Sequence, residues 1–187
     1  MDQDAPAGKN TNLEKYCDRA LAFGLTHAVV IDPASVVTAA WVRFKCQFGC
    51  SHYGETYSCP PHSPTHRETA EMLATYNRAI LFHAEVPYSN KWEMVAKKIK
   101  LGLLELEGEI FKDGYYRALA LLGGQCTFCK ECANLKGEPC TFPEKPRPAM
   151  ESCGIDVFQT VRNNGFTIEP LREKGETLNL FRMILVD

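Results

Sequence analysis

Apolar residues spaced three or four positions apart predict four helices along the chain. The first follows a cap at Thr11 or Asn12 and runs through Leu21. The second begins at Thr65 and Glu68, whose spacing is typical of a capping box, with Thr reaching forward and Glu reaching back. Each segment is flanked by polar residues, so each helix is expected to bury one face.

The other two predicted helices lie in the second half of the chain. A long helix is expected between a cap at Ser89 or Asn90 and a stop at Asp113, because six apolar residues between them fall on one face. A short helix is expected in the segment GIDVFQTVRNNGF, where Asn164 and Gly165 form the stop signal.

Five segments rich in β-branched, aromatic and other apolar residues predict strands. They occupy residues 27–31, 35–45, 78–86, 115–122 and 179–186. Because helices and strands alternate, we expect an α/β fold in which a mixed sheet is flanked by helices. Two cysteine-rich loops at the ends of predicted strands are expected to bind clusters.

The chain is expected to form one domain. Residues 12–187 hold the predicted helices and strands as a single α/β domain, and residues 1–11 are polar and predict a disordered tail. Residues 46–62 and 124–153 together form a cysteine-rich lobe of that domain.

Composition and charge narrow the classes of function. Of 187 residues, 45% are hydrophobic and 24% are charged, and the formal net charge is −2. Without a basic excess, we expect no binding to nucleic acid. The first residues lack the apolar region of a signal peptide, and the longest apolar run, 118–122, is too short to span a bilayer. We therefore expect no membrane association and a cytoplasmic location; the sequence leaves the oligomeric state open.

Nine cysteines are the main chemical feature of the chain. In a reducing compartment, closely spaced cysteines favour metal binding or catalysis over a framework of disulfides. The second group follows the pattern C-x2-C-x2-C at Cys126, Cys129 and Cys132, with Cys140 close behind. This contiguous triple is typical of four-iron clusters, whereas zinc sites more often pair two separate C-x2-C knuckles. Zinc remains the alternative.

The first group contributes three thiols, Cys46, Cys50 and Cys59, one short of a closed four-iron site. We prefer Cys153 as the fourth ligand, because two closed clusters then use eight of the nine cysteines. The alternatives that stay open are Cys17, His52, His62 or no protein ligand, and an arrangement in which the two groups exchange ligands, suggested by the pair Cys59-Pro60.

A cluster held by three cysteines would have a different consequence. Its free iron could bind a substrate as a Lewis acid. Residues near the first group that could transfer protons in such a reaction are His52, Glu55, Tyr57 and His62.

Three segments carry a resemblance to a known family. They read KCQFGCSHYGETYSCPPHSPT, CTFCKECANLKGEPC and FPEKPRPAMESCGIDVF. With them, nearly the whole chain resembles the prokaryotic family of predicted metal-binding proteins called domain of unknown function 2284. The resemblance implies binding of iron–sulfur clusters or another metal through Cys46, Cys50, Cys59, Cys126, Cys129, Cys132 and Cys140. It implies no reaction.

Three functions follow from these patterns. The first is an iron–sulfur protein with two four-iron four-sulfur (4Fe-4S) clusters that transfers electrons, as a carrier or subunit, to an unidentified redox partner protein. The second is an enzyme that uses the three-cysteine, open-iron cluster for non-redox sulfur or dehydration chemistry. The third is a zinc-stabilised binding module.

Overall fold

The computed structural model of this chain describes residues 13–89, 91–173 and 175–187. The predicted tail over residues 1–11 and the predicted caps at Thr11, Asn12 and Asn90 lie outside these ranges. The helices among the described residues are α1 (Glu14–Leu21), α2 (Ala40–Gly49), α3 (His66–Leu73), α4 (Trp92–Lys112) and α5 (Val157–Asn163). The strands are β1 (His27–Ile31), β2 (Ala79–Pro87), β3 (Leu119–Leu121) and β4 (Thr177–Leu185).

The four strands form one sheet in the order β1-β2-β4-β3. The α/β class expected from the sequence is confirmed. The sheet itself was expected to be mixed, and this is wrong, because all three of its strand pairs are antiparallel. Alternation of helices and strands predicts their layering, but strand direction depends on where each connection re-enters the sheet, which the pattern does not encode.

Both faces of the sheet are covered. On β2, Ile80 and Phe82 face one core, which includes residues of α1 and α4. Ala79 and Leu81 face a second core, which includes Met150 and residues of α5. This division follows from the two-residue repeat of side-chain direction in a strand. It also explains why β2 is apolar at nearly every position, since a strand buried on both faces has no polar side.

The segment 35–45, expected to be extended, is a second correction. Helix α2 begins at Ala40, and the extended part is limited to a single bridge between Thr38 and Ile155. Residues 40–49 lie away from the sheet edge, where a helix can satisfy its own backbone hydrogen bonds. The β-branched and aromatic residues of this segment are therefore overridden by their position, because such propensities are weak and depend on context.

An ion pair between a buried carboxylate and a half-buried arginine holds the long helix to the rest of the domain. The carboxylate of Glu107 in α4 accepts from the backbone N–H of Ala120 in β3 at 2.8 Å and from Nε of Arg147 at 2.8 Å. Arg147 lies in the segment that follows the second cysteine group. Loss of a donor would leave the buried carboxylate of Glu107 without one of its hydrogen bonds, which costs about 1–3 kcal/mol. This contact therefore holds both β3 and that segment against α4.

No helix among the described residues combines the length and the apolar character needed to cross a membrane.

The packing of α1 and α4 yields a prediction about two glycines of α4. A Cβ atom added at Gly102 would lie 2.4 Å from the ring of Phe23, whereas one added at Gly108 would meet nothing within 4 Å. We expect Gly102→Ala to lower the free energy of unfolding by about 1–3 kcal/mol through overpacking. Gly108→Ala, the matched control, should raise it by about 0.5–1 kcal/mol. Thermal and denaturant unfolding measure both; equal shifts in the two variants would contradict the packing.

Candidate metal centre

The first cysteine group begins inside a helix. Cys46 lies in the last turn of α2 and Cys50 is its C-cap residue, with the N–H of Cys50 donating to the carbonyl of Cys46 at 3.2 Å. The loop then returns to Cys59, whose N–H donates to the carbonyl of Thr56 at 3.1 Å. Residues four apart on a helix share a face, so the C-x3-C spacing places the first two thiols side by side.

Arg43 anchors this loop to the domain. From α2, its Nη1 donates to the carbonyls of Pro64 at 2.7 Å and Ser152 at 2.8 Å. The hydroxyl of Ser63 donates to the same Ser152 carbonyl at 2.7 Å. A single guanidinium thus joins the start and the end of the first loop to the segment that contains Cys153.

The second cysteine group surrounds a cavity of its own. Cys126, Cys129, Cys132 and Cys140 all line one cavity of about 310 Å³. Phe128, Leu135 and Phe142 are among the other residues that line it. Cys132 is followed directly by a short 3-10 helix, Ala133–Lys136, which turns the chain so that Cys140 comes back to the triple. Polar residues such as Glu55, Lys130 and Glu131 also line the cavity, so four thiols meet there in mixed polar and apolar surroundings.

The two cysteine loops are in direct contact. The hydroxyl of Tyr57 in the first loop donates to the carbonyl of Glu138 in the second at 2.7 Å. In the opposite direction, Nδ2 of Asn134 donates to the carbonyl of Gly54 at 2.7 Å. The sequence gives no hint of this contact, because the loops are more than sixty residues apart.

Lys100 lies between the two groups. It is buried in α4 and its Nζ donates to the carbonyl of Gln125 at 2.7 Å. Burial and the neighbouring guanidinium of Arg182 lower the pKa of Lys100, while the thiols of Cys126 and Cys59 oppose this shift. One buried ammonium therefore acts electrostatically on a cysteine from each group.

The cysteine sulfurs do not form a compact group of three among the described residues. Among residues 13–89, 91–173 and 175–187, no three cysteine sulfurs lie mutually within 4.8 Å.

A second, larger cavity opens beside the first group. It measures about 820 Å³, and Cys46 and Cys50 form part of its lining. Its other walls are mostly apolar and aromatic, with Trp41, Trp92, Phe158 and Leu171 among them. Lys100, Glu151 and Arg182 also line it, and sequence reasoning singled out none of these three as functional. The one signal that could have revealed Arg182 is a lone charge inside the apolar strand segment 179–186.

Arg182 is a buried cation without a full set of partners. Only 3% of its surface is exposed; its Nη1 donates to the carbonyl of Phe181 at 3.1 Å, and its Nε has no partner among the described residues. Gly123 permits this position, since a Cβ there would lie 2.6 Å from Nη1. Burial lowers the pKa of Arg182, and the carboxylate of Glu151 opposes the shift.

Glu151 lines the same cavity and carries a carboxyl group, whose charge when ionised is opposite to that of Arg182. The residue is exposed on the cavity side. The protein around the cavity still desolvates its carboxyl group, and this raises the pKa of that group. A buried guanidinium and a carboxyl group that interact only through space leave hydrogen-bonding capacity on both side chains.

The structure places Cys153 in different surroundings from the other predicted ligands. It is fully buried in the second core, with Ile155 and Met183 in the same cluster, and it does not line either cavity. Burial raises the pKa of its thiol to about 11, against the effect of a hydrogen bond from Ser152. It precedes α5, but that helix begins at Val157, so the thiol is not at its N-terminus.

The four predicted acid–base candidates do not line the larger cavity. Nδ1 of His52 lies 2.7 Å from Oε2 of Glu55, and the ring of His62 packs edge-on against Tyr57 with centroids 5.4 Å apart. Glu55 and Tyr57 line the smaller cavity of the second cysteine group instead. The first loop thus turns Glu55 and Tyr57 toward the other loop.

The fold and the site together define a small α/β protein with two adjoining cysteine-rich loops. The chain belongs to the family described as "Predicted metal-binding protein (DUF2284)", whose match covers residues 29–186. That span includes all eight predicted cysteine ligands, and metal binding is the property that the family description assigns. No curated protein matches the chain, and no solved structure matches it either.

The different surroundings of the thiols predict their order of reaction in the metal-free protein. Cys50 is exposed, whereas Cys153 is buried with its pKa raised to about 11. Such a shift reduces the thiolate fraction about 100-fold, and only the thiolate attacks iodoacetamide. We expect peptide mapping by mass spectrometry to find Cys50 alkylated first and Cys153 last, with the difference lost in denaturant. Equal labelling rates in the folded protein would contradict this placement.

Proposed function

We propose that this protein is an iron–sulfur protein that binds two 4Fe-4S clusters and transfers electrons, as a carrier or as a subunit, in the cytoplasm. The observation that carries the proposal is the cavity of about 310 Å³ lined by Cys126, Cys129, Cys132 and Cys140. Four thiolates around one cavity match the ligand set of a cubane cluster. When bound, such a cluster supplies reversible one-electron chemistry.

The spacing of the sulfurs supports iron–sulfur over zinc. Zinc binds thiolates at about 2.3 Å in a tetrahedron, which brings the sulfurs to about 3.8 Å from one another. No three cysteine sulfurs of the described residues meet even a 4.8 Å limit. A cubane binds each thiolate on a different iron and therefore needs the wider arrangement.

The contact between the two loops supports transfer of electrons between two clusters. Tyr57 and Asn134 join the loops by hydrogen bonds, and Lys100 acts on Cys59 and Cys126 together. Positive charge beside thiolate-bound clusters offsets their negative charge and favours the reduced state. A carrier of this kind requires a redox partner protein to supply or accept the electrons.

The first test is the metal and sulfide content of anaerobically purified protein. We expect about eight iron and eight acid-labile sulfide per chain, and about half of each in Cys140→Ser, because the second cluster loses a ligand. Cys17→Ser is the matched control, since Cys17 lines neither cavity, and it should keep the full content. Electron paramagnetic resonance after reduction by dithionite should show two interacting clusters.

Two results would count against this proposal. Zinc without sulfide would replace it with a zinc-stabilised module. Equal loss of iron in Cys17→Ser and Cys140→Ser would mean that the second cavity is not the cluster site.

The larger cavity favours a second candidate function. Cys46 and Cys50 line it, whereas Cys153, the predicted fourth ligand, lies in the apolar core. A first cluster held by Cys46, Cys50 and Cys59 alone would keep one iron free to bind a substrate, and two of these three thiols line a space of about 820 Å³. An electron carrier has no need of such a cavity.

The lining of this cavity suggests the class of substrate. The guanidinium of Arg182 and the ammonium of Lys100 are buried close to each other, and aromatic walls stand around them. This combination suits a small anion with an apolar body, the charge bound at the cations and the body against Trp41 and Trp92. Glu151 is the group placed to hold or release a proton there.

Replacing Cys153 separates the two forms of the first cluster. If Cys153 is not a ligand, Cys153→Ala should keep about eight iron per chain. In that case the absorption and paramagnetic spectra of the wild type should change when sulfide or a small thiol is added. Loss of about half the iron in Cys153→Ala, with a melting temperature close to that of the wild type, would instead establish Cys153 as the fourth ligand and remove the case for an open iron.

A further inference from the structure

A group of possible metal ligands lies on the sheet, apart from both cysteine loops. The ligand atoms of His27, His83 and Glu85 all lie within 4.8 Å of one another. His27 and His83 are directly opposite each other in the antiparallel pairing of β1 with β2. Glu85 is two residues beyond His83, on the same face of the strand. The register of the sheet alone therefore brings the three side chains together.

Backbone contacts fix that register at the histidines. The N–H of Thr26 donates to the carbonyl of His83 at 2.8 Å, and the hydroxyl of the same threonine accepts from the N–H of Glu85 at 2.9 Å. The carboxylate of Glu85 makes no hydrogen bond or ion pair with another residue in the part of the chain that the structure describes. It is exposed and free to turn toward the histidines.

His83 is held in one orientation and one tautomer. Its ring stacks on Phe181, with centroids 4.5 Å apart and planes within 10°, and Phe166 packs edge-on against it. Nδ2 of Asn179 donates to the carbonyl of Thr177 at 3.4 Å, so the amide oxygen faces Nε2 of His83 at 2.8 Å and accepts its proton. The lone pair of neutral His83 is then on Nδ1.

That Nδ1 faces the Nδ1 of His27 at a distance of 3.1 Å. A metal ion bound at 2.0–2.1 Å to both nitrogens would subtend an angle of about 100°, between the tetrahedral and octahedral values. The two rings are parallel within 7°, so one of them has to turn for both lone pairs to meet an ion. His27 is exposed, and besides His83 its ring contacts only Phe166 among the described residues, edge-on with centroids 6.1 Å apart. His83 is buried and also stacked on Phe181, so His27 is the ring that can turn.

We propose that His27, His83 and Glu85 form a binding site for a divalent first-row transition ion of the zinc type, with at least one coordination position left open to solvent. Two imidazoles and one carboxylate are a ligand set that such ions accept in proteins. Asn179 is the positioning residue, because its amide oxygen orients the imidazole that binds the ion. The site contains no cysteine and is independent of the cluster assignment.

Cobalt(II) is the probe that separates this site from the thiols. It binds more weakly than zinc or copper and does not displace zinc already held by thiolates. The full-length protein, purified anaerobically with its own metals, is titrated with cobalt(II) by calorimetry. X-ray absorption at the cobalt edge then distinguishes nitrogen and oxygen ligands from sulfur. We expect one cobalt per chain with nitrogen and oxygen neighbours only.

Variants of exposed residues assign the ligands without disturbing the core. His27→Gln should weaken cobalt binding by at least about 10-fold. Replacing a residue that only orients a metal ligand already costs about 10- to 100-fold in affinity, and loss of the ligand itself should cost no less. Glu85→Gln should weaken it in the same direction. His66→Gln, at the start of α3, is the matched control and should bind as the wild type does. Melting temperatures confirm that each variant is folded.

Three results would overturn the site. They are the absence of a cobalt with only nitrogen and oxygen neighbours, a cobalt bound through sulfur, and equal weakening by His66→Gln and His27→Gln. Any of them would leave the two histidines as a hydrogen-bonded pair across the strands.

Discussion

The pairing of β2 with β4 is the contact on which the rest of the structure depends. It joins nine residue pairs from Ala79–Leu185 to Pro87–Thr177, and it inserts the last strand of the chain between β2 and β3. Without β4, β3 would have no strand to pair with, and each core would lose the apolar side chains that β4 contributes to it. Since the two strands are about one hundred residues apart, this contact carries a large loop-closure cost, which the burial of both strand faces offsets.

The same strand also supplies the chemistry of the sheet. Alternate residues of β4 point to opposite faces of the sheet. Arg182 and Phe181 both line the larger cavity, and Phe181 also stacks on His83. Asn179, two residues earlier, orients His83 from the end of the strand. One strand thus connects the cavity beside the first cysteine group with the histidine pair. A shift of one residue in its register would exchange the faces and dismantle both.

The cysteine loops depend on a different set of contacts. Short polar hydrogen bonds join them to each other and to the segment 149–153, and Arg43 makes several of these bonds from a single side chain. Such loops have little regular structure of their own, so their backbone groups must be satisfied by one another. The arrangement keeps the thiols in place around their cavities.

By itself, the sequence determined the parts that depend on local pattern. The capping box of Thr65 and Glu68, the long helix α4 and the grouping of Cys126, Cys129, Cys132 and Cys140 follow from spacing, because residues close in the chain are constrained to be close in space. Tertiary structure decided the rest. It made residues 40–49 a helix, turned every strand pair antiparallel, buried Cys153 among apolar side chains, and brought His27 to His83. These outcomes arise from contacts between segments that are distant in the chain. The free energy of such contacts outweighs weak local preferences, and the contacts do not produce a regular pattern in the sequence.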